Sequence, residues 1–223
     1  MIEIDHVSKS FGRIKVLDGV CLRIAAGERV AFVGANGSGK TTLLRALLGL
    51  LRVEGGVRVA GIEVSRDPRQ ALARLAYVPQ LSPPLDAPVG EVVRAYAALR
   101  AVPLSDMLAC AERLGLPLAE LLGSRFRDLS GGMRQKLLAV MALCTHADVL
   151  VCDEPTANLD ARARRAFFEE IAVRWADKVI LLCSHRAEEV TGFVERVVEL
   201  RDGRVVSDER RRRPVQPTRS LFQ

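Results

Sequence analysis

The chain has 223 residues, 49% hydrophobic and 27% charged, enough for one domain with a buried core or one domain carrying a small insertion. Its formal net charge of +6 comes mainly from arginine, since lysine occurs only five times. Arginines are spread along amphipathic stretches and are dense only at Arg210–Arg213, so the charge gives little reason to expect a nucleic-acid partner.

From the N-terminus, Ile2–Val7, Val16–Ile24 and Arg29–Val33 are rich in Val, Ile and Leu and are punctuated by Gly12, Gly19 and Gly27, which predicts strands. At Thr41 the pattern changes to the helical run TTLLRALLGLL, which Gly55 and Gly56 stop. Strand returns over Val57–Val64, interrupted by Gly61, and a short strand over Tyr77–Pro79 ends at Gln80. Residues 81–128 differ in character. Pro83, Pro84 and Pro88 break the chain, then Val89–Arg100 and Leu104–Leu114 read as amphipathic helices, with a further short turn at Leu118–Leu122. A helix over Met133–Cys144, an apolar strand over Val149–Cys152, a helix over Ala161–Trp175 and a strand over Val179–Cys183 follow. Glu195–Leu200 and Arg204–Val206 flank Arg201-Asp202-Gly203, a hairpin with an Asp-Gly turn.

Apolar strands alternating with helices indicate a mainly parallel sheet covered on both faces, to which the early hairpin-like strands add an antiparallel edge, an antiparallel β subdomain. The expected fold is α/β, one domain over residues 2–208 with core segments 2–80 and 136–208 around a helical insert at about 81–135. Residues 209–223, basic and punctuated by proline, read as a flexible tail.

Cys21, Cys110, Cys144, Cys152 and Cys183 lie far apart, with no Cys-x-x-Cys pair and an odd total. That argues against a disulfide framework and a zinc site, and for buried free thiols in a reducing compartment. The N-terminal MIEIDHVSKSF has no signal-peptide pattern, and no window approaches the roughly 18 consecutive apolar residues of a membrane span. The expectation is a soluble chain.

Gly34-Ala35-Asn36-Gly37-Ser38-Gly39-Lys40-Thr41 fits the phosphate-binding pattern G-x-x-x-x-G-K-[ST] at every position, between an apolar strand and a helix. The glycines permit unusual backbone angles and close approach, so that successive N–H groups, helped by the positive end of the following helix, form an anion nest. Lys40 brings a mobile cation to the β- and γ-phosphates, Thr41 offers a hydroxyl to Mg²⁺, and Thr42 is counted with them as nucleotide-binding. Magnesium also needs a carboxylate, usually at the end of a neighbouring buried strand, and Val149–Glu154 supplies an apolar run ending in two acids. Asp153 would hold the ion and Glu154 would polarise the attacking water as general base.

With Leu129-Ser130-Gly131-Gly132-Met133-Arg134-Gln135, nearly the whole chain, about residues 2–208, resembles the ATP-binding subunits of ABC transporters. Ser130 can cap the helix near Met133, and Gly131 and Gly132 leave backbone N–H groups exposed at its positive end, a second phosphate-binding surface in one chain. The resemblance implies a P-loop NTPase core and a head-to-tail dimer in which the P-loop of one subunit and the signature of the other sandwich ATP. It further implies that Gln80 senses the γ-phosphate and Mg²⁺, that Asn158-Leu159-Asp160 is the D-loop facing the partner, and that His185 contacts the γ-phosphate. Phe11 resembles the residue that stacks on adenine; a core phenylalanine at a strand end is the alternative. Cys152 stands where an aliphatic residue is usual and Asn158 where a small one is common; the catalytic set is otherwise unbroken.

What the resemblance implies for function is an active, Mg²⁺-dependent ATPase. It would pair with a second ATP-binding subunit, in a homodimer or heterodimer, and drive separate permease subunits at the cytoplasmic face of the inner membrane. The helical insert, hinged at Gln80, would receive a coupling helix from the membrane subunit. The length leaves no room for an added C-terminal regulatory domain. Pro88–Ala97 and the sequence LSGGMRQK look like subunits of ABC-2-type exporters and of metal-cofactor-maturation systems, and are compatible with importers of metals or other small solutes. A soluble ABC ATPase of DNA repair or ribosomes is the alternative of a different class, disfavoured by the single P-loop and an insert of under fifty residues. A P-loop kinase or GTPase leaves the signature and His185 unexplained.

Overall fold

A computed structural model describes residues 1–184 and 192–211. Ten strands form two sheets among the described residues. β1 (Ile2–Phe11), β2 (Ile14–Ile24), β4 (Glu54–Val59) and β5 (Ile62–Glu63) make an antiparallel sheet in the order β2-β1-β4-β5. The larger sheet runs β10-β9-β3-β8-β7-β6, built from β3 (Arg29–Val33), β6 (Leu75–Val78), β7 (Val149–Asp153), β8 (Val179–Cys183), β9 (Arg196–Arg201) and β10 (Arg204–Arg210). Its strands pair in parallel except at the β9–β10 hairpin. The antiparallel strands therefore form a sheet of their own rather than an edge of the parallel one.

Seven α-helices accompany the sheets among the described residues: α1 (Lys40–Leu47), α2 (Pro68–Ala73), α3 (Val89–Arg100), α4 (Leu104–Arg113), α5 (Leu118–Leu121), α6 (Gly131–Leu143) and α7 (Ala161–Arg174). The larger sheet is apolar on both faces, and alternate residues enter different cores. Ala31, Leu150, Cys152, Ile180 and Leu182 meet the helices α3 to α7 on one side. Val30, Phe32, Val149, Val151, Val179 and Leu181 meet α1 and the antiparallel sheet on the other. A fully buried side chain of this kind contributes about 1.5–3 kcal/mol. The antiparallel sheet instead buries one face, through Ile2, Ile4, Val20, Leu22, Val57 and Val59, and leaves the other to water.

Local chemistry sets the helix starts. Ser130 caps α6 by accepting from the Met133 N–H at 3.2 Å, and Asp160 caps α7 by accepting from Ala163 at 2.8 Å. Helix α2, absent from the sequence expectations, starts at Pro68 behind Asp67, whose carboxylate accepts from Gln70 at 3.0 Å. Arg100 at the end of α3 donates to the carbonyls of Leu72, Ala73 and Leu75, and Arg113 of α4 donates to Glu170 of α7, so two arginines tie the helices of 89–121 to the rest. Trp175, at the end of α7, is buried and donates its indole N–H to the Leu143 carbonyl at 3.2 Å.

The chain from Glu209 to Arg211 departs from the expected flexible tail of 209–223. β10 continues to Arg210, whose guanidinium reaches Glu28 at 2.5 Å, and the Arg211 N–H donates to the Glu195 carbonyl at 2.7 Å. Arg196 anchors the same hairpin, forking onto both oxygens of Asp208 at 2.7 Å. The rest of the proposed tail, from residue 212, lies outside the described residues. No helix among them is long and apolar enough to cross a membrane.

Candidate functional site

Strand β3 delivers the chain into the loop 34–39 and α1 carries it away. The turn depends on glycine at two positions. A Cβ on Gly34 would collide with the Leu200 carbonyl of β9, and Gly39, at φ +104, is the N-cap of α1 in a left-handed conformation. Glycine offers no capping oxygen, so no side chain accepts from the first turn of α1. Those N–H groups remain directed at whatever anion enters the loop.

Lys40 is buried, and its ammonium donates to the carbonyls of Gly34 at 2.7 Å and Ala35 at 3.0 Å, folding back over its own loop. The Ser38 hydroxyl is buried without a hydrogen-bond partner. An orphaned buried hydroxyl is costly, and a phosphate oxygen above the loop would give it one. Asn36, Gly37, Gly39, Lys40, Thr41 and Thr42 line a cleft of about 300 Å³ with Val16, Gln80, Asp153 and Glu154.

The acidic pair enters this cleft from the end of β7. This strand is not a direct neighbour of β3: β8 lies between them, contrary to the sequence expectation of adjacency. The gap is bridged by α1, where the Thr41 hydroxyl donates to Asp153 Oδ1 at 3.3 Å. Burial pushes the Asp153 carboxyl above its ordinary value and the charge of Glu154 adds to this, while the Thr41 hydrogen bond acts in the opposite sense. Such an acid gains from a cation beside it. A hydroxyl and a carboxylate are hard oxygen donors, so this pair fits Mg²⁺. Glu154 takes the uncommon φ of +50, and its N–H donates to the Cys183 carbonyl at 3.0 Å, holding the turn after β7 against β8. Cys152 and Cys183 are fully buried, and burial pushes both thiols up, which keeps them neutral beside the acids.

Other sequence-derived residues fall elsewhere. Ser130, Gly131 and Gly132 open α6, and none of them lines the phosphate cleft of their own chain. Gly131 instead lines a second cleft of about 620 Å³, with Leu81–Asp86, Arg134 and Asn158. Gln80 lines both clefts. Asp160 is held by Lys136 at 3.0 Å as well as by its cap, tying the 158–160 segment to α6. Phe11 is half exposed at the tip of the β1–β2 hairpin, with the Lys9 ammonium 5.4 Å from its ring centroid. It is not a core residue, nor does it line the phosphate cleft, where Val16 of the same hairpin takes part. His185 lies outside the described residues.

Gln135 has no role in the sequence reading beyond its place in the signature motif. Its side chain is buried and its Nε2 donates to the carbonyls of Pro79 and Pro155, both at 3.3 Å. One amide thus joins the start of α6 to the residue before Gln80 and the residue after Glu154. The signal in sequence was a polar residue at helical spacing from the apolar Leu138, Ala139 and Ala142, on a face that calls for a buried partner.

The sequence profile described as "ABC transporter" matches residues 17–157. Over 215 residues, 93% of this chain and 70% of the relative, the chain is 36% identical to a Nod factor export ATP-binding protein I of Paraburkholderia xenovorans. It is also 36% identical to a zinc import ATP-binding protein of Cereibacter sphaeroides, covering 89% of this chain and 78% of that protein. Among solved structures, the ATP-binding subunit of an ABC transporter superposes with a TM-score of 0.86 at 25% identity, over 94% of this chain and 90% of the other. A dimeric bacterial ABC transporter cassette shares the fold at a TM-score of 0.83 and 24% identity, over 95% and 99%.

Proposed function

Because the chain belongs to the ABC transporter family, as one of its ATP-binding and ATP-hydrolysing subunits, we propose that it works as a head-to-tail dimer that drives separate membrane-spanning permease subunits. One observation carries the dimer: the phosphate cleft and the Ser130 end of α6 are two different clefts of one chain, meeting only at Gln80. A nucleotide held by both needs the second surface from another subunit.

In this reading each residue has a physical task. The loop N–H groups and the Ser38 hydroxyl receive phosphate oxygens, and Lys40 leaves the Gly34 and Ala35 carbonyls to follow them. Thr41 and Asp153 would hold Mg²⁺, which neutralises phosphate charge when bound. Glu154 accepts a proton from the attacking water, and its fixed backbone turn sets where that water stands. His185 contacts the γ-phosphate. The partner's copy of the Ser130–Gly132 segment closes the site, with Asn158 and Asp160 at the seam and Phe11 against the adenine. Gln80 and the buried Gln135 transmit closure to the helical insert, where the permease docks. In this reading the chain works at the cytoplasmic face of the membrane, held there by its partners.

For direction we propose export. The resemblance of Pro88–Ala97 and Leu129–Lys136 to ABC-2-type exporter subunits supports it, as does the Nod factor export relative. Import of a metal or other small solute is the second reading, supported by the zinc import relative at equal identity. Affinity purification of the chain from detergent-solubilised membranes tests the assignment. Recovery of an integral membrane protein is expected; recovery of ribosomes or DNA without one would refute it.

A further inference from the structure

Strand β1 carries a bulge on the outer face of the antiparallel sheet. Ile4 pairs with Leu22 and Val7 pairs with Val20, so Asp5 and His6 together oppose Cys21 alone. In a regular strand successive side chains alternate between faces. Here the extra residue keeps Ile4 and Val7 in the core while Asp5 and His6 are both exposed. Across from them β2 alternates without interruption, burying Val20 and Leu22 and leaving Cys21 outside. Two backbone features hold the bend. His6 adopts a φ of +49, and Gly55 of β4 lets that strand approach where a Cβ would strike the Asp5 and His6 carbonyls.

The outcome is a carboxylate, an imidazole and a thiol whose donor atoms lie within 4.8 Å of one another. His6 Nδ1 lies in hydrogen-bond contact with Asp5 Oδ1 at 2.7 Å, and the His6 backbone N–H donates to Cys21 Sγ at 3.2 Å. We propose that Asp5, His6 and Cys21 form a site for a borderline-soft divalent transition-metal ion, Zn²⁺ above all, with water completing a four-coordinate shell.

The chemistry is consistent. Zinc takes oxygen, nitrogen and sulfur donors at about 2.0–2.3 Å, which puts neighbouring donors about 3.3–3.8 Å apart, a rotamer-scale movement for three exposed side chains. The ion binds Nδ1 of the neutral His6 imidazole, whose one proton then sits on Nε2, and the proton of the Cys21 thiol leaves to solvent. Two anionic donors then balance its charge. The His6 N–H directed at sulfur is the kind of outer hydrogen bond that metal thiolates keep. A thiolate and an imidazole also separate this site from the all-oxygen Thr41–Asp153 pair, so the two select different ions. The sequence expectation of no zinc site rested on the lack of a Cys-x-x-Cys pair; a bulge across two strands supplies the ligands instead.

The test uses the purified full chain, free of any affinity tag and of nucleotide, titrated with Co²⁺ and then Zn²⁺. Expected is one Co²⁺ per chain with a thiolate-to-cobalt charge-transfer band in the near ultraviolet, lost on adding Zn²⁺. Zinc should also slow alkylation of one fast-reacting thiol, because Cys21 is exposed and the other four cysteines are buried. Cys21→Ser removes the band. His6→Asn, which still tolerates the left-handed backbone, weakens binding by about tenfold or more. A wild-type chain without the band, or a band that survives Cys21→Ser, overturns the proposal.

Discussion

Thr41 and Asp153, far apart in sequence, meet through a hydrogen bond of 3.3 Å in which the hydroxyl donates to the carboxylate. It is the only hydrogen bond recorded to that carboxylate among the described residues, although Asp153 is 2% exposed. A buried acid so lightly supported costs stability until a cation arrives.

Asp153→Asn should therefore stabilise the metal-free chain by about 1 kcal/mol, or about 2–4 °C in melting midpoint. ATPase activity should fall by more than about a hundredfold. The sign with pH follows from linkage. A carboxyl raised above 3.8 binds its proton more tightly when folded, so its favourable contribution exists at low pH and is lost as pH rises through the folded value. The advantage of Asp153→Asn should be full at neutral pH and shrink as pH falls toward 4; thermal melts in EDTA across that range check it.

Glu154→Gln should keep the positive-φ turn and nucleotide binding, abolish turnover and leave a dimer closed around ATP. Light scattering with ATP reads the dimer, and single-turnover kinetics read the chemistry. A monomer that still hydrolyses at the wild-type rate contradicts the assignment.

Ser130→Arg removes the α6 cap and fills the surface meant for the partner's nucleotide. Loss of the cap alone costs about 1 kcal/mol. ATP binding at the P-loop should survive and hydrolysis should not, which equilibrium dialysis and an ATPase assay separate.

Gln135→Leu leaves the Pro79 and Pro155 carbonyls without their buried donor, at a cost of about 1–3 kcal/mol. We expect ATPase activity to drop further than nucleotide affinity, because the segments on either side of the cleft lose their common brace. Chemical denaturation and nucleotide titration give the two numbers.

How legible all this was depended on range along the chain. Val89–Arg100 and Val179–Cys183 came out with the expected bounds, because each carries its own periodicity and its own punctuation. Helix α2 did not, since six residues are too few for a period, though Asp67 and Pro68 marked its start. The end of β10 was hidden for another reason: Ser207–Arg210 is polar and charged, and what holds it are Arg196 and Glu28, ion-pair partners from elsewhere. The candidate site divides in the same way. The P-loop is one contiguous motif, readable at sight. Gln135 and the Asp5, His6 and Cys21 cluster depend on which strand ends and bulges come together in space, and no spacing rule states that.

That correction of the C-terminal boundary can itself be measured. A chain ending at Arg211 and one ending at Glu209 differ by the Glu28 ion pair and one backbone hydrogen bond. The shorter chain should be less stable by about 1 kcal/mol. Equal melting midpoints would return these residues to the tail.

The lone tryptophan gives the molecule a built-in optical gauge. Trp175 lies in the helical layer, against the end of α6, and on the far side of the larger sheet from the antiparallel strands. Its emission therefore tracks one half of the protein. Loosening around α6 and α7 will redden it, while an event confined to β1, β2, β4 and β5 will pass unseen unless the larger sheet relays it. Ligand-induced changes of fluorescence can thus be assigned to a side of the molecule without introducing a dye.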